Sequence, residues 1–182
     1  MSFDLPGRLL LTPVDKDAPA RVRRLRGLGI GGRPEPAFDA YAHHLAGLLG
    51  APYAMVTFVA EDDQYFAGLH TPMETRPGAH GGLDRRLCRD HGYCPHVVVR
   101  RTALVLDDVT DFPRFAGNPL VDLIGMRSYL GAPLIDHTGM ALGALCALDV
   151  GPRRWGPAGL ATVKTLAAEL AERVNRLEHG AP

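Results

Sequence analysis

The 182-residue sequence predicts one mixed domain, α/β in the broad sense and α+β in detail, built on antiparallel strands. Two strand pairs and two amphipathic helices predict it. Residues 53–60 and 64–69 are apolar, β-rich runs separated by Glu61-Asp62-Asp63, a turn between neighbouring strands. Residues 128–135 and 140–148 flank Asp136-His137-Thr138-Gly139, a hairpin signal with glycine where positive φ is useful. Strands joined so closely run antiparallel. Helical periodicity then frames them, over residues 36–49 and 157–179.

The elements follow in order. Residues 1–18 hold Pro6, Pro13 and acidic side chains without periodicity, and read as a loosely ordered lead-in to a domain over 19–179. Residues 21–30 read as a short helix with Val22, Leu25 and Leu28 on one face, limited by Gly27 and Gly29. Its Arg21, Arg23, Arg24 and Arg26 are expected on the solvated side, with a basic recognition patch as the other reading. In the next helix Phe38, Tyr41, Ala42, Leu45, Leu48 and Leu49 form one stripe, closed by Gly50. His43 and His44 diverge by about 100° on it and do not share a metal. Residues 71–82, rich in Pro, Gly and His, read as a loop. Two short helical pieces broken near Gly92 are expected over 83–101, then a strand at 102–106.

The last helix carries Leu160, Val163, Ala167, Leu170, Val174 and Leu177 at alternating spacings of three and four, with Glu169–Arg173 and Glu172–Arg176 as i,i+4 pairs. Such a seam suits packing against a second helix, although it spans only about two and a half heptads. A homodimer through these six residues, beside residues 21–30, is the expectation, with a helix lying on its own sheet as the other reading and Leu166 as a further apolar position that lets it touch both.

Composition narrows the function. The formal net charge is zero with 46% hydrophobic residues, so no large nucleic-acid or anionic-membrane footprint is expected. The excess of 18 Arg over 2 Lys fits a GC-rich coding bias. No apolar run nears the ~20 residues of a membrane span, and residues 1–17 lack the pattern of a secretory leader. Together with three cysteines, an odd number, this points to the reducing cytoplasm. Without C-x-x-C or H-x-x-x-H spacing, no zinc site is expected.

One continuous stretch says more. Residues 107–149 read DDVTDFPRFAGNPLVDLIGMRSYLGAPLIDHTGMALGALCALD. The loop Asp107, Asp111, Arg114, Phe115, Ala116, Asn118, Pro119 is followed by Arg127, Tyr129, Gly131, Pro133, Leu134 and then Gly143, Leu145, Cys146, Asp149. This order resembles the second half of a GAF domain, and LGAPYAMVTFVAEDDQYF with GYCPHVV fits the first half, so that the resemblance covers roughly residues 21–177. It implies a five- or six-stranded antiparallel sheet, terminal helices on one face, and short helices and loops covering a pocket on the other. Carried over residue by residue, the pocket lining is Phe66, Tyr93, Cys94, His96, Asp108, Phe115, Asn118, Arg127 and Tyr129. Asp107 and Asp111 have a plainer reading as caps of the following turns, with Arg127 paired to one of them.

The implied role is non-enzymatic sensing or signalling by a bacterial regulator, with the ligand unnamed and no cofactor specified. Because only Glu-His-Gly-Ala-Pro follows Leu177, output is expected through a homodimer or a separate protein, unless this is a piece of a longer chain. A thiol-based role is the alternative. Cys88 and Cys94 lie among Arg85, Arg86, Arg89, His91 and His96, cations that favour thiolate, whereas Cys146 is expected buried and inert. Free methionine-(R)-sulfoxide reductases share this fold and a glycine-x-cysteine like that at Cys94. Their catalytic cysteine falls in the loop matching 112–118, which here has none. Bilin attachment requires a Cys-His pair that residues 119–126 lack. Phosphate-binding and nucleophile-elbow glycine motifs are missing too, and Gly29-Ile30-Gly31-Gly32 precedes a helix instead of following a strand.

Overall fold

The computed structural model describes residues 12–75, 83–178 and 180. Six strands form one sheet: β1 Tyr53–Val59, β2 Asp63–His70, β3 Arg86–Cys88, β4 Leu104–Leu106, β5 Ser128–Ile135 and β6 Ala141–Asp149. Their order is β3-β2-β1-β6-β5-β4, and every neighbouring pair is antiparallel. The 53–60 and 64–69 strands and the 136–139 hairpin stand where the sequence put them, and Gly139 has φ +83.

Three longer helices cover one face: α1 Ala18–Gly27, α2 Pro36–Leu49 and α6 Gly156–Leu177. Helix α2 begins with Pro36, whose missing N–H costs nothing there, and ends at Gly50 in the left-handed region. Its stripe drives Phe38, Ala42 and Leu45 into the core, but Leu48 is 56% exposed and Ala46 is buried instead. The helical drift makes Ala46 the fourth contact on the sheet. Gly68 in β2 lets α2 approach closely; a Cβ there would sit 2.2 Å from the Phe38 carbonyl oxygen.

Helix α6 spends its seam on its own sheet. Val163, Ala167, Leu170 and Val174, joined by Leu166, belong to the core shared with α2 and the sheet; Leu160 is half-buried and Leu177 is 40% exposed. The seam residues expected to meet a second copy are thus already covered within one chain, except at the two ends.

The other face carries short elements: α3 Cys94–Arg100, α4 Pro113–Ala116 and α5 Pro119–Ile124. The region 83–101 holds the edge strand β3 and one helix rather than two helices. Only Leu87 of β3 points inward, and three residues are too few to display a period of two. The β4 strand likewise contracts to Leu104–Leu106. In the loop at 71–82, Met73–Thr75 form a 3-10 turn, and 76–82 lie outside the described residues, as do 1–11 of the lead-in and His179 of the last helix.

The arginine-bearing face of α1 also departs from expectation. Arg23 and Arg26 are exposed, whereas Arg21 is 1% exposed. Arg21 Nε donates to the Val59 carbonyl at 2.7 Å, and its guanidinium pairs with Asp15. Arg24 Nε donates to Asp136 Oδ2 at 2.7 Å, and its other nitrogens donate to both Glu178 carboxylate oxygens at 2.9 and 2.8 Å. These contacts tie α1 to the β5–β6 turn and to the end of α6.

Candidate functional site

Strand pleating sends Tyr53, Met55, Thr57 and Val59 of β1, Phe66 of β2, Tyr129 of β5 and Cys146 of β6 toward the short helices. Over them sits α3, whose first turn places Cys94 and His96 on the sheet. Tyr93, Cys94, Phe66, Phe115 and Tyr129 are all buried in this layer. Tyr93 stacks edge-on against Phe115 and Tyr129 with centroids 5.2 and 5.3 Å apart, and His96 stacks edge-on against Phe115 at 5.1 Å. The Tyr93 hydroxyl donates to the Phe115 carbonyl at 2.6 Å, fastening α3 to α4. Burial raises the Tyr93 phenol above its usual range, so it stays a donor.

Cys94 is not placed against Cys88. Cys88 is exposed on the β3 edge, while Cys94 Sγ lies 3.6 Å from Cys146 Sγ, 3.3 Å from the Tyr129 hydroxyl and 3.6 Å from Thr57 Oγ1. Gly131 makes this arrangement possible, because a Cβ on it would sit 2.4 Å from the Tyr129 hydroxyl oxygen. Hydrogen bonding from Cys146, Tyr129 and Thr57 lowers the Cys94 thiol against the opposing effect of burial. Cys146, hydrogen-bonded to Cys94 and buried, is pushed well up. The sequence read positive neighbours as the cause of any thiolate character at Cys94; the groups at hydrogen-bond distance are neutral. Thr57 and the partnership of Cys146 with Cys94 carried no sequence signal, since 52 residues separate the two thiols.

Asn118 staples the layer together. Its Oδ1 accepts from Gly92 N at 2.7 Å and from Leu120 N at 3.1 Å, capping α5, while Nδ2 donates to the Gly92 carbonyl at 2.9 Å. Asp108 and Arg127 sit apart at the sheet margin as a two-pronged pair, at 3.1 and 2.5 Å. Arg127 and the Thr110 hydroxyl and amide hold the Asp108 carboxyl well below its usual range. Asp108 also borders an open groove of about 590 Å3 with Asp107, Asp111, Arg153 and Arg154. Of the nine expected lining residues, the structure brings Phe66, Tyr93, Cys94, His96, Phe115 and Tyr129 into one layer, makes Asn118 its staple and leaves Asp108 and Arg127 outside it.

His96 is the electrostatic exception in this layer. It is 5% exposed, and its Nδ1 has no hydrogen-bond partner among the described residues. Two more buried nitrogens on the same segment share that condition, Arg89 Nε and His91 Nδ1. Burial, reinforced by Arg114, Arg100 and Arg89, depresses His96 to a pKa of about 4, so the ring is neutral at neutral pH. Among the described residues no three His, Cys, Asp or Glu side chains converge as metal ligands, and no helix is long and apolar enough to cross a membrane.

An antiparallel six-stranded sheet with long terminal helices on one face and a buried aromatic and thiol layer under short helices on the other defines the class of small α+β sensory domains. The chain belongs to the GAF domain family, whose model matches residues 33–174. A cyclic di-GMP phosphodiesterase of Pseudomonas aeruginosa is 33% identical over 131 residues, which are 70% of this chain and 18% of that enzyme's length. Among solved structures, the GAF domain of a phosphoenolpyruvate-protein phosphotransferase from Coxiella burnetii aligns with TM-score 0.63 and 18% identity, covering 90% of this chain and 96% of that one. A free methionine-R-sulfoxide reductase of Neisseria meningitidis, in complex with its substrate, aligns with TM-score 0.59 and 16% identity, covering 96% and 99%. The PixJ GAF domain of Thermosynechococcus elongatus gives 0.61 and 15%, covering 92% of each. At these identities the structural likenesses bear on the fold alone.

Proposed function

We propose that this chain is a non-enzymatic, small-molecule-binding regulatory GAF domain whose ligand enters the layer beneath α3, α4 and α5. One observation carries the reading. His96 Nδ1 is buried against Tyr93 and Phe115 without a hydrogen-bond partner among the described residues. Unpaired buried polar groups are costly and call for a partner, and a small polar ligand under the short helices supplies one. Tyr93, packed edge-on against Phe115 and Tyr129, would supply apolar walls with them once a ligand parts these rings, as a small-molecule site requires.

Catalysis is disfavoured by how the thiols are spent. Cys94 faces Cys146, Tyr129 and Thr57 in the interior, with no base at hydrogen-bond distance among the described residues. The partial likeness to a cyclic di-GMP phosphodiesterase supports a regulatory role toward an output enzyme of that kind, carried on the same chain or on a separate partner. The ties from Arg24 to Asp136 and Glu178 offer a route by which movement of the sheet reaches α1 and α6.

The test is native purification followed by mass spectrometry of released small molecules, then titration of the identified compound. At a hundred times its dissociation constant it should add about 2.7 kcal/mol to stability. His96→Phe should remove at least half of that gain. A broad metabolite screen that leaves the melting temperature unmoved would refute the reading.

A further inference from the structure

On the opposite face, a cleft of about 330 Å3 lies between α1, the 28–35 linker and the β1–β2 turn, remote from the layer under α3. We infer that this cleft is a second small-molecule site, for an amphipathic monoanion such as a one- or two-ring aromatic carboxylate.

The opening arises from the sequence of the linker. The cover of the sheet is interrupted between Gly27, where α1 ends, and Pro36, where α2 begins. In between, Gly31 and Gly32 bring no side chain to fill the gap, and the residues below are small at Ala60, just past β1, and at Ala67 of β2. The floor is apolar and partly aromatic, with Phe58 and Tyr65 beneath it. Its volume sits at the lower end of what small-molecule pockets occupy, which limits the body of the ligand to one or two rings.

The rim fixes the charge. Three arginines and two carboxylates border the cleft: Arg26, Arg33, Arg86, Glu35 and Asp63. Arg86 is spoken for, since it pairs with Asp63, lies over the Tyr65 ring at 5.4 Å and fills the space beside Gly32. Arg33 faces Glu35 at 3.8 Å. Arg26 is exposed and its guanidinium has no partner among the described residues. One cation is therefore uncompensated, which matches a single carboxylate presented to the guanidinium fork. A dianion such as a phosphate monoester would also face Asp63 and Glu35, and like charges at close range disfavour it.

Calorimetric titration with 2-naphthoate, and with neutral 2-naphthamide as its control, tests the assignment. The acid should bind saturably and at least about tenfold more tightly than the amide, the size of one charge-assisted contact. Arg26→Gln, at an exposed position, should lower the acid to the amide's level and leave the amide unchanged. Ala60→Phe, which fills the cleft, should abolish both, with an unaltered circular-dichroism spectrum showing that each variant is folded. His96→Phe should leave the naphthoate isotherm as it is. Equal binding of acid and amide, an unaffected Arg26→Gln variant, or loss of binding in His96→Phe in place of Ala60→Phe would each overturn the inference, the last by locating the probe under α3.

Discussion

The two faces of the sheet are held by different forces. Under α2 and α6 the contacts are mostly apolar, with Leu45, Val163 and Leu170 fully buried among alanines and leucines of the strands, and Arg21 and Arg24 add polar ties at α1. Under α3, α4 and α5 the covering helices are seven, four and six residues long, too short to persist on their own propensity. Directed polar contacts fasten them onto their apolar core: Asn118 to Gly92, the Tyr93 hydroxyl to Phe115, and the cluster of Cys94, Cys146, Tyr129 and Thr57. A face held by area resists local change, because no single contact decides it. A face held by a few hydrogen bonds opens where one of them is exchanged, which is what the proposed entry of a ligand on that side requires.

The comparison is broken most severely at α6. Replacing Leu170 and Val174 by Glu places two charges against an apolar sheet, and the cost should exceed about 5 kcal/mol, enough to unfold the domain. Far-UV circular dichroism and urea titration should show loss of structure. A folded monomer from that double variant would instead mean that the seam serves a partner copy, the assembly that the heptad-like spacing suggests.

On the other face, Asn118→Ala removes the cap of α5 and leaves the Gly92 amide and carbonyl without their partner. We expect a loss of about 2–3 kcal/mol by urea denaturation. The damage should be local, with faster amide exchange in α3 to α5 and little change in α2 and α6. Uniform acceleration across both faces would show that the faces are not separable.

Acid sharpens the same contrast through His96. An unfolded histidine takes up its proton near pH 6.5, whereas the buried ring waits until about pH 4. Between these values the unfolded chain holds more protons, so stability falls as pH drops from about 6.5 to about 4, by roughly 2–3 kcal/mol. His70, also depressed by burial and by His43, acts in the same direction. His96→Phe should flatten most of the decline in a series of melts across this range, and an unchanged slope would place the acid sensitivity elsewhere.

The smallest effect lies where α3 ends. Arg101 closes it at φ +54, a conformation that costs a residue with a side chain and not glycine. Arg101→Gly should stabilise by about 0.5 kcal/mol after the loss of its exposed pair with Asp17. A net loss would assign that pair more weight than exposed ion pairs carry.

Local chemistry alone determined much of this molecule. The strand pairs, the Gly139 hairpin, α2 between Pro36 and Gly50, and the ordered phrases over residues 107–149 were legible because each is written within a few neighbouring residues. Periodicity also said that α6 has an apolar stripe, but a stripe states only that something covers it. The tertiary structure decided that the cover is the chain's own sheet. It likewise buried Arg21 against the Val59 carbonyl, made a three-residue edge strand of Arg86–Cys88, and gave Cys94 the partner Cys146 instead of Cys88. Each of these depends on contacts between distant segments, which no short window of sequence contains. The candidate site was legible as a set of residue types and not as an arrangement, because hydrogen-bond geometry exists only once the strands are in register.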